Sequence, residues 1–389
     1  MQTALLATRL RDAGHEVAIL AYWGLEGAQM VWEGIPVFPR SRHPASQDFL
    51  QTLMKELEAQ AVISITDAWV IETQRFAGTK VAYVPWFPVD GEPMDRENAR
   101  GIMGPGPAVR LPVATSEHAA AMAREQGITD LRTIPYMVDT NVYQPGDKAE
   151  ARAGWGIPES AFVVGMVAMN KVAAGIDRKR FFEQIGAFAK LRARHDDALL
   201  YLHSHVMAPD GLDLREILAY WGVPPEAVMF TSGLVLTSGA HPQQMADLYR
   251  SFDVLTGVTG GEGAGVPLLE AAACGTPTLA GDWTAMPEYH KSGILVSIND
   301  AQPQMNAGRV IWQIPGIDAI HDAMERAYTG AHATEWAQKG REGAMAHDAD
   351  RVVPELWLPA IAEVEQRIED LDRVTSVPVP DALKPKVAA

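Results

Sequence analysis

Residues 261–270 read Gly-Glu-Gly-Ala-Gly-Val-Pro-Leu-Leu-Glu, and this stretch decides the fold. A short apolar strand is predicted over residues 252–255, and an apolar helix is predicted from Pro267 through Ala273. A strand, a glycine loop and a helix N-terminus in this order direct backbone N–H groups and the helix dipole toward one place, which favours an anion. The stretch therefore predicts a strand–loop–helix unit of an α/β fold with a ligand site at the loop.

Two carboxylates distinguish this loop from one that binds phosphate alone. Glu262 lies within the loop, and Glu270 follows eight residues later in the first turns of the predicted helix. Carboxylates beside free N–H groups suit a ligand that carries hydroxyls as well as phosphate, which indicates a nucleotide sugar. A dinucleotide fingerprint does not fit, because Val266 stands where the third glycine of that motif belongs.

The Glu-x7-Glu pattern within residues 261–282 closely resembles the donor-site motif of family 4 glycosyltransferases, which have the GT-B fold. Three other segments are similar to that family in the same order along the chain: Gly14-His15-Glu16-Val17, residues 134–139 followed by Pro145, and Arg178-Lys179. The resemblance implies an α/β protein of two Rossmann-like parallel-sheet domains that face a central cleft. It also implies transfer of a hexose-type sugar from a nucleotide sugar, with retention of anomeric configuration and without a metal ion or other cofactor.

The basic residues after the predicted strand at 163–169 are expected to bind the donor diphosphate. Cations at a helix N-terminus cost about 0.3–1 kcal/mol unless an anion compensates them, and Arg178 and Lys179 stand at such a position. The family usually has an arginine a few residues earlier, and Lys171 is the candidate substitute here. Solvated surface charges are the alternative interpretation.

The resemblance implies roles for the rest of the donor site. Glu262 would face the sugar ring, Glu270 would bind the ribose hydroxyls, and Glu288 matches a Pro-Glu pair common after the next strand. The backbone N–H groups expected to contact sugar hydroxyls or the β-phosphate are those of Gly263, Ala264 and Gly265. His203, at a strand end, could flank the base; a zinc site with His205 is not expected, because further ligands at suitable spacing are missing.

The acceptor side carries a weaker signal. Many relatives have a histidine in the loop after an N-domain strand, and the loop at residues 84–90 has none. Asp67 and Asp90 follow predicted strands at the carboxyl edge of a sheet, where ligands of parallel sheets bind, so either could orient an acceptor hydroxyl. Trp86 could stack on a sugar or fill the core.

The predicted domains follow from the alternation of strands and helices. We expect an acceptor-side domain over residues 1–150, completed by a helix at 354–373, and a donor domain over 151–353, with a linker at 141–158 and a Pro-rich tail at 374–389. The chain opens with a predicted helix over residues 2–11, where a doubly wound domain normally opens with a strand. A late start codon or an abridged domain would explain the missing strand.

Composition narrows the possible partners. The chain has 389 residues and a net charge of −16, which suits two domains and argues against a broad nucleic-acid-binding surface. No run approaches the roughly 20 apolar residues of a membrane span, no signal peptide is recognised, and Cys274 has no cysteine partner within the chain. We therefore expect a cytoplasmic protein.

Two alternatives remain open at this point. One is a non-catalytic nucleotide-sugar-binding scaffold or regulatory protein, which the missing strand, the absent histidine and the lysine in place of arginine favour. The other is a GT-B epimerase, for which the sequence gives no positive sign. UDP is favoured over GDP on family frequency, and the acceptor, whether glycan, protein or small molecule, and the oligomeric state are left open.

Overall fold

The elements of the N-terminal half surround a parallel sheet. The computed structural model describes residues 1–22, 25–41, 47–172, 175–290 and 293–376. The strands of this half are β1 (Ile19–Leu20), β2 (Met30–Trp32), β3 (Ile35–Phe38), β4 (Ala61–Ile65), β5 (Ala82–Phe87), β6 (Val113–Ala114) and β7 (Arg132–Thr133). Its helices are α1 (Gln2–Asp12), α2 (Gln47–Glu56), α3 (Arg96–Met103) and α4 (Glu117–Glu125), with 3-10 turns at Ala68–Val70 and Thr73–Phe76. Strands β4, β5, β6 and β7 pair in parallel in that order, and β1, β3 and β2 form a smaller separate sheet.

The C-terminal half has the larger sheet. Its strands are β8 (Phe162–Val167), β9 (Ala198–His203), β10 (Val228–Phe230), β11 (Val254–Gly257), β12 (Thr278–Gly281) and β13 (Ile294–Val296), followed by a hairpin of β14 (Gln302–Met305) and β15 (Ile311–Ile314). Its helices are α5 (Lys148–Trp155), α6 (Phe181–Arg192), α7 (Leu214–Tyr220), α8 (Gly233–Ser238), α9 (Pro242–Arg250), α10 (Val266–Ala273), α11 (Met286–Tyr289), α12 (Ile317–Tyr328), α13 (Ala333–Met345), α14 (Ala349–Val352) and α15 (Leu358–Ser376). A 3-10 turn lies at Pro225–Ala227, and a π-helical turn at Val353–Trp357 joins α14 to α15.

The strand order of the larger sheet places its ligand site. The strands lie in the order β10-β9-β8-β11-β12-β13, and every pairing is parallel. Chain connections run outward in both directions from the β8–β11 pair, so the switch point of this sheet lies between their carboxyl ends. Apolar clusters cover both faces, one built with α6, α7 and α12 and the other with α9, α10 and α13. The predicted α/β class with parallel sheets is confirmed.

The C-terminal helices return to the N-terminal sheet. Trp357, Ala360 and Val364 pack in one apolar cluster with α1 and with β5. The predicted domain boundary between residues 150 and 151 falls within α5, and residues 377–389 of the predicted tail lie outside the described residues. Among the described residues, no helix has both the length and the apolar character needed to cross a bilayer.

Two local predictions differ from the structure. The expected linker at 141–158 contains α5, because Asp147 accepts a hydrogen bond from the N–H of Glu150 and starts a helix, which Gly156 ends in a left-handed conformation (φ 67°). Helix α6 begins at Phe181 rather than at Lys179, so Arg178 and Lys179 lie in the loop that leads into it.

Candidate donor site

A pocket lies at the switch point of the larger sheet. It is lined by the ends of β8 and β11, by the loop before α6 and by the glycine loop, with Lys179, Glu262, Gly265 and Leu268 among the lining residues. The predicted basic segment and the predicted glycine loop therefore meet in space, although 83 residues separate Lys179 from Glu262 along the chain.

The glycine loop is fixed by the left-handed conformation of Gly265 and by hydrogen bonds to Thr284. Gly265 has φ 67° and precedes the first residue of α10, so a residue with a side chain would be strained there. The Thr284 hydroxyl accepts the N–H of Glu262 at 3.1 Å and lies 2.9 Å from the Glu262 carbonyl, to which it donates. These contacts fix the loop backbone and leave the Glu262 side chain pointing at the loop before α6.

The charged side chains of the site form one connected cluster. Lys179 Nζ lies 2.5 Å from Glu262 Oε1, and Arg178 lies 3.1 Å from Glu262 Oε2. Arg178 Nε also pairs with Asp90 Oδ2 of the N-terminal half at 3.2 Å. The Glu262 side chain is 13% exposed, so its two partners act in a poorly hydrated place.

The pKa directions follow from this cluster. Burial alone would raise the pKa of Glu262, but Arg178 and Lys179 bring it down to about 2. Burial lowers the pKa of Lys179 against the opposing effect of Glu262, while Glu262 and Asp90 keep the pKa of Arg178 above its ordinary value. The cluster thus brings two basic side chains together with two carboxyl groups, and each basic side chain is paired with at least one of those carboxyl groups.

Gln184 fixes the loop that carries Lys179. It is 1% exposed, and its side-chain N–H donates to the Lys179 carbonyl at 2.8 Å. Its side-chain oxygen accepts from Thr256 Oγ1 at 2.5 Å and from the N–H of Val258 at 3.2 Å. The sequence signal that could have identified Gln184 is a polar residue among apolar ones in the first turn of a predicted helix, since a buried polar group needs hydrogen-bond partners.

Two further charged residues that were predicted for the site, Lys171 and Asp67, lie at the edge of the cluster. Lys171 is exposed, in the loop after β8, and it is close enough to lower the pKa of Asp67 slightly. Asp67 follows β4, and the surrounding protein, with a further contribution from Asp90, raises the pKa of its carboxyl group. The predicted roles of Lys171 and Asp67 stay predictions.

Glu270 does not face the pocket in this structure. Leu268 lines the pocket, and a residue two positions later lies about 200° around the helix, which turns Glu270 into the core. Its carboxyl group accepts a hydrogen bond from Tyr249 Oη at 2.6 Å and lies beside Tyr143. The side chain is 7% exposed, and the expected contact of Glu270 with ribose hydroxyls stays a prediction.

The buried carboxyl group of Glu270 predicts a pH effect on stability. Burial raises its pKa from 4.5 to about 7, so the folded chain holds this proton between those values while the unfolded chain loses it. The stabilisation is complete below pH 4.5 and is lost as the pH rises to about 7, by about 1–3 kcal/mol. Urea unfolding of the wild type and of Glu270→Gln across this window should show the wild type losing stability relative to the variant. Exposed Glu125→Gln is the control, and parallel curves for wild type and Glu270→Gln would contradict the prediction.

Glu288 joins the two halves of the chain instead of facing the donor site. Its two carboxylate oxygens accept the N–H groups of Glu117 and His118, each at 2.7 Å. These are the first residues of α4, so the carboxylate compensates the positive end of that helix dipole. The neighbouring Tyr289 donates from Oη to the Thr115 carbonyl at 2.6 Å. The donor-binding role of Glu288 stays a prediction.

Trp86 is part of the N-terminal core. Its side chain is fully buried, and Nε1 donates to the Ile134 carbonyl at 2.8 Å. The rings of Tyr136 and Trp357 approach it edge-on at 4.8 and 4.9 Å. Of the two alternatives stated for Trp86, the structure therefore supports core packing and leaves no ring face for a sugar.

The remaining predicted residues lie around the loop and the strand ends. His203 Nδ1 lies 2.9 Å from Thr231 Oγ1, and burial together with His205 lowers its pKa. Gly263 and Ala264 are buried, and the hydroxyl of Thr115 lies 3.3 Å from the Gly263 carbonyl, to which it donates. Their predicted contacts with a nucleotide sugar stay predictions.

The hairpin of β14 and β15 is the part of the site that the sequence interpretation missed. Its strand signal is the β-branched and aromatic run at residues 310–314, in which Gln313 is the one polar residue, and Asn306 and Gly308 give the turn signal between the strands. Trp312 is 5% exposed and donates from Nε1 to Asp90 Oδ1 at 3.3 Å.

Comparison with known proteins agrees with the geometry. Residues 163–312 match the family model of glycosyl transferases group 1. D-inositol 3-phosphate glycosyltransferase from Stackebrandtia nassauensis is 31% identical over 227 residues, which are 56% of this chain and 46% of that protein. The chain thus spans about half the length of the curated relatives it matches.

Two solved structures share the overall fold. Sucrose-phosphate synthase from Thermosynechococcus elongatus has a TM-score of 0.70 at 16% identity and covers 92% of each chain. The Anabaena protein HepE, in complex with UDP and glucose, has a TM-score of 0.61 at 16% identity, with 85% of this chain and 87% of that chain covered. These likenesses concern the fold alone, and they confirm the predicted GT-B fold. The region that matches the family model is the part of the chain that carries the Glu-x7-Glu loop, so this region is similar to the glycosyl transferases group 1.

Proposed function

We propose that this chain transfers a hexose-type sugar from a nucleotide sugar to an acceptor hydroxyl, with retention of anomeric configuration and without a metal ion. The observation that carries the proposal is the cluster of Lys179, Arg178 and Glu262 at the switch point of the larger sheet. Cations there would stabilise the diphosphate as the bond from the sugar carbon to its phosphate oxygen breaks. In metal-dependent transferases a divalent ion has that task.

The proposal assigns the remaining chemistry to Glu262 and to the two substrates. Glu262, with its pKa near 2, is ionised at neutral pH and would accept hydrogen bonds from sugar hydroxyls. The acceptor oxygen forms the new bond to the sugar carbon, and its proton passes to the departing phosphate oxygen. No protein base is needed for that transfer, so the absence of a histidine from the loop at residues 84–90 is compatible with turnover.

UDP is the first nucleotide to test. The fold is shared with HepE, whose structure contains UDP and glucose, and this likeness supports the choice without extending to the sugar. The relative from Stackebrandtia nassauensis is named for D-inositol 3-phosphate, so phosphorylated cyclitols belong in the first acceptor panel.

A second candidate is a protein that binds a nucleotide sugar without turnover. Two observations favour it: Asp90 already occupies Arg178, and Glu270 is buried against Tyr249. Both arrangements would have to change before a donor could use those residues.

The test is nucleotide release from a panel of UDP- and GDP-sugars, with and without EDTA and with and without acceptors. We expect release from one donor at a rate that the chelator leaves unchanged. Release that EDTA abolishes would contradict metal independence. Thermal stabilisation by one nucleotide sugar, with no release under any acceptor condition, would support the binding protein instead.

A further inference from the structure

The hairpin at residues 302–314 contacts both halves of the chain beside the donor site. Toward the glycine loop, the N–H of Gln313 donates to the Gly260 carbonyl at 2.9 Å. Toward the N-terminal half, Ile311 and Glu92 exchange backbone hydrogen bonds of 2.7 and 3.2 Å. The hairpin therefore links the start of the glycine loop to the segment that follows Asp90.

Trp312 connects the hairpin to the charged cluster through Asp90 and Arg178. Its N–H donates to one oxygen of Asp90, and the other Asp90 oxygen pairs with Arg178. The Arg178 guanidinium carbon lies 5.9 Å from the Trp312 ring centroid, within the range of a cation–π contact. Each of the three side chains thus contacts the other two.

The segment around Asp90 also lies tightly against the glycine loop. A Cβ atom on Gly261 would be 2.0 Å from the Asp90 carbonyl oxygen, and one on Gly263 would be 2.3 Å from Pro88 Cβ. The two halves are therefore in direct backbone contact here. Through this segment the N-terminal half supplies Asp90 as an anionic partner of Arg178, in addition to Glu262.

We propose that the 302–314 hairpin is a clasp that holds Asp90 on Arg178 as an internal substitute for the donor diphosphate, with Trp312 as its positioning residue. The proposal rests on the proposed function, because it takes a nucleoside diphosphate group as the ligand of Arg178. Binding exchanges Asp90 for a phosphate, because the carboxylate and the phosphate compete for the same guanidinium N–H groups. Trp312 then loses its acceptor, and the pairing of Glu92 with Ile311 loosens.

The first experiment needs no ligand. Hydrogen exchange is followed at the amides of Glu92 and Ile311 in the wild type and in Trp312→Phe, which keeps an aromatic ring and removes the N–H donor. Because one hydrogen bond to a charged group is lost, exchange should quicken about fivefold in the variant. Glu97→Gln is the control, because that side chain is exposed and pairs only with Arg100 among the described contacts. Unchanged exchange in Trp312→Phe would overturn the clasp.

The second experiment uses UDP as the probe. Calorimetric titration should show about fivefold tighter binding to Asp90→Asn than to the wild type or Glu97→Gln, because the competing anion is gone. Saturating UDP should also quicken exchange at Glu92 and Ile311 in the wild type, and slower exchange would contradict the proposal.

A separate variant distinguishes the two proposals. If UDP binds the wild type and Arg178→Gln weakens it, but Asp90→Asn does not tighten it, the clasp is wrong and the proposed function stands. If neither UDP nor GDP binds the wild type or Asp90→Asn, the proposed function fails and the clasp fails with it.

Discussion

Lys179→Met is expected to lower kcat/KM for the donor by about 10²–10³-fold. Lys179 contacts Glu262 at 2.5 Å inside the switch-point pocket, where a cation would meet the charge that develops on the departing diphosphate. A charge in a poorly hydrated site contributes far more than one at the surface, which is why a single cation should have so large an effect. Initial rates of nucleotide release at varied donor concentration measure it.

Helix α6, which follows the loop that carries Lys179, offers a matched control for this variant. Lys190 lies on α6, is exposed and pairs with Asp318, so Lys190→Met removes an equal charge without touching the pocket. Lys179→Arg keeps a cation and should recover part of the rate. Wild-type turnover by a folded Lys179→Met protein would show that this cation has no part in the reaction.

Trp86→Ala is expected to lower the free energy of unfolding by about 3–5 kcal/mol. The substitution empties a fully buried site between Tyr136 and Trp357 and leaves the Ile134 carbonyl without its donor. Trp86→Phe keeps most of the ring volume, so its smaller loss isolates the cost of the missing hydrogen bond. Urea denaturation of the three proteins gives both quantities.

An exposed tryptophan in the same half provides the comparison. Trp69 is 56% exposed, and Trp69→Ala should change the free energy of unfolding by no more than about 0.5 kcal/mol. If Trp86→Ala were as stable as the wild type but weakened an acceptor, the sugar-stacking interpretation would be right after all.

The glycine loop and the basic loop before α6 could be predicted because their signals are local. Gly265 needs a left-handed conformation, and Glu262 lies in a contiguous motif, so neighbouring residues carry the information. The apolar runs of β8 and β11 identify the buried strands between which the pocket lies. Periodicity is sufficient for such elements.

Two features are harder to predict from the sequence: which face of a helix lines the pocket, and which residue pairs with a given charged side chain. Glu270 was assigned from the motif, but which face of α10 meets the pocket depends on how that helix packs against α9 and α13. Glu288 finds α4 across 171 residues of chain. Arg178 meets Asp90 only because the two halves close on each other. Pairings of this kind leave no pattern in the residues that make them.

The packing of Trp357 against Trp86 also bears on how the chain is made. Protein synthesis delivers the N-terminal half first, yet one side of its sheet is covered by residues of the last helices. Until those residues leave the ribosome, β5 lacks the part of its apolar cover that Trp357, Ala360 and Val364 supply. Among the described residues, the two apolar clusters of the C-terminal sheet contain no residue after α13, so we expect this sheet to fold as a unit before the N-terminal sheet is complete. The nascent N-terminal half is therefore the stage of biosynthesis at which a chaperone would be needed.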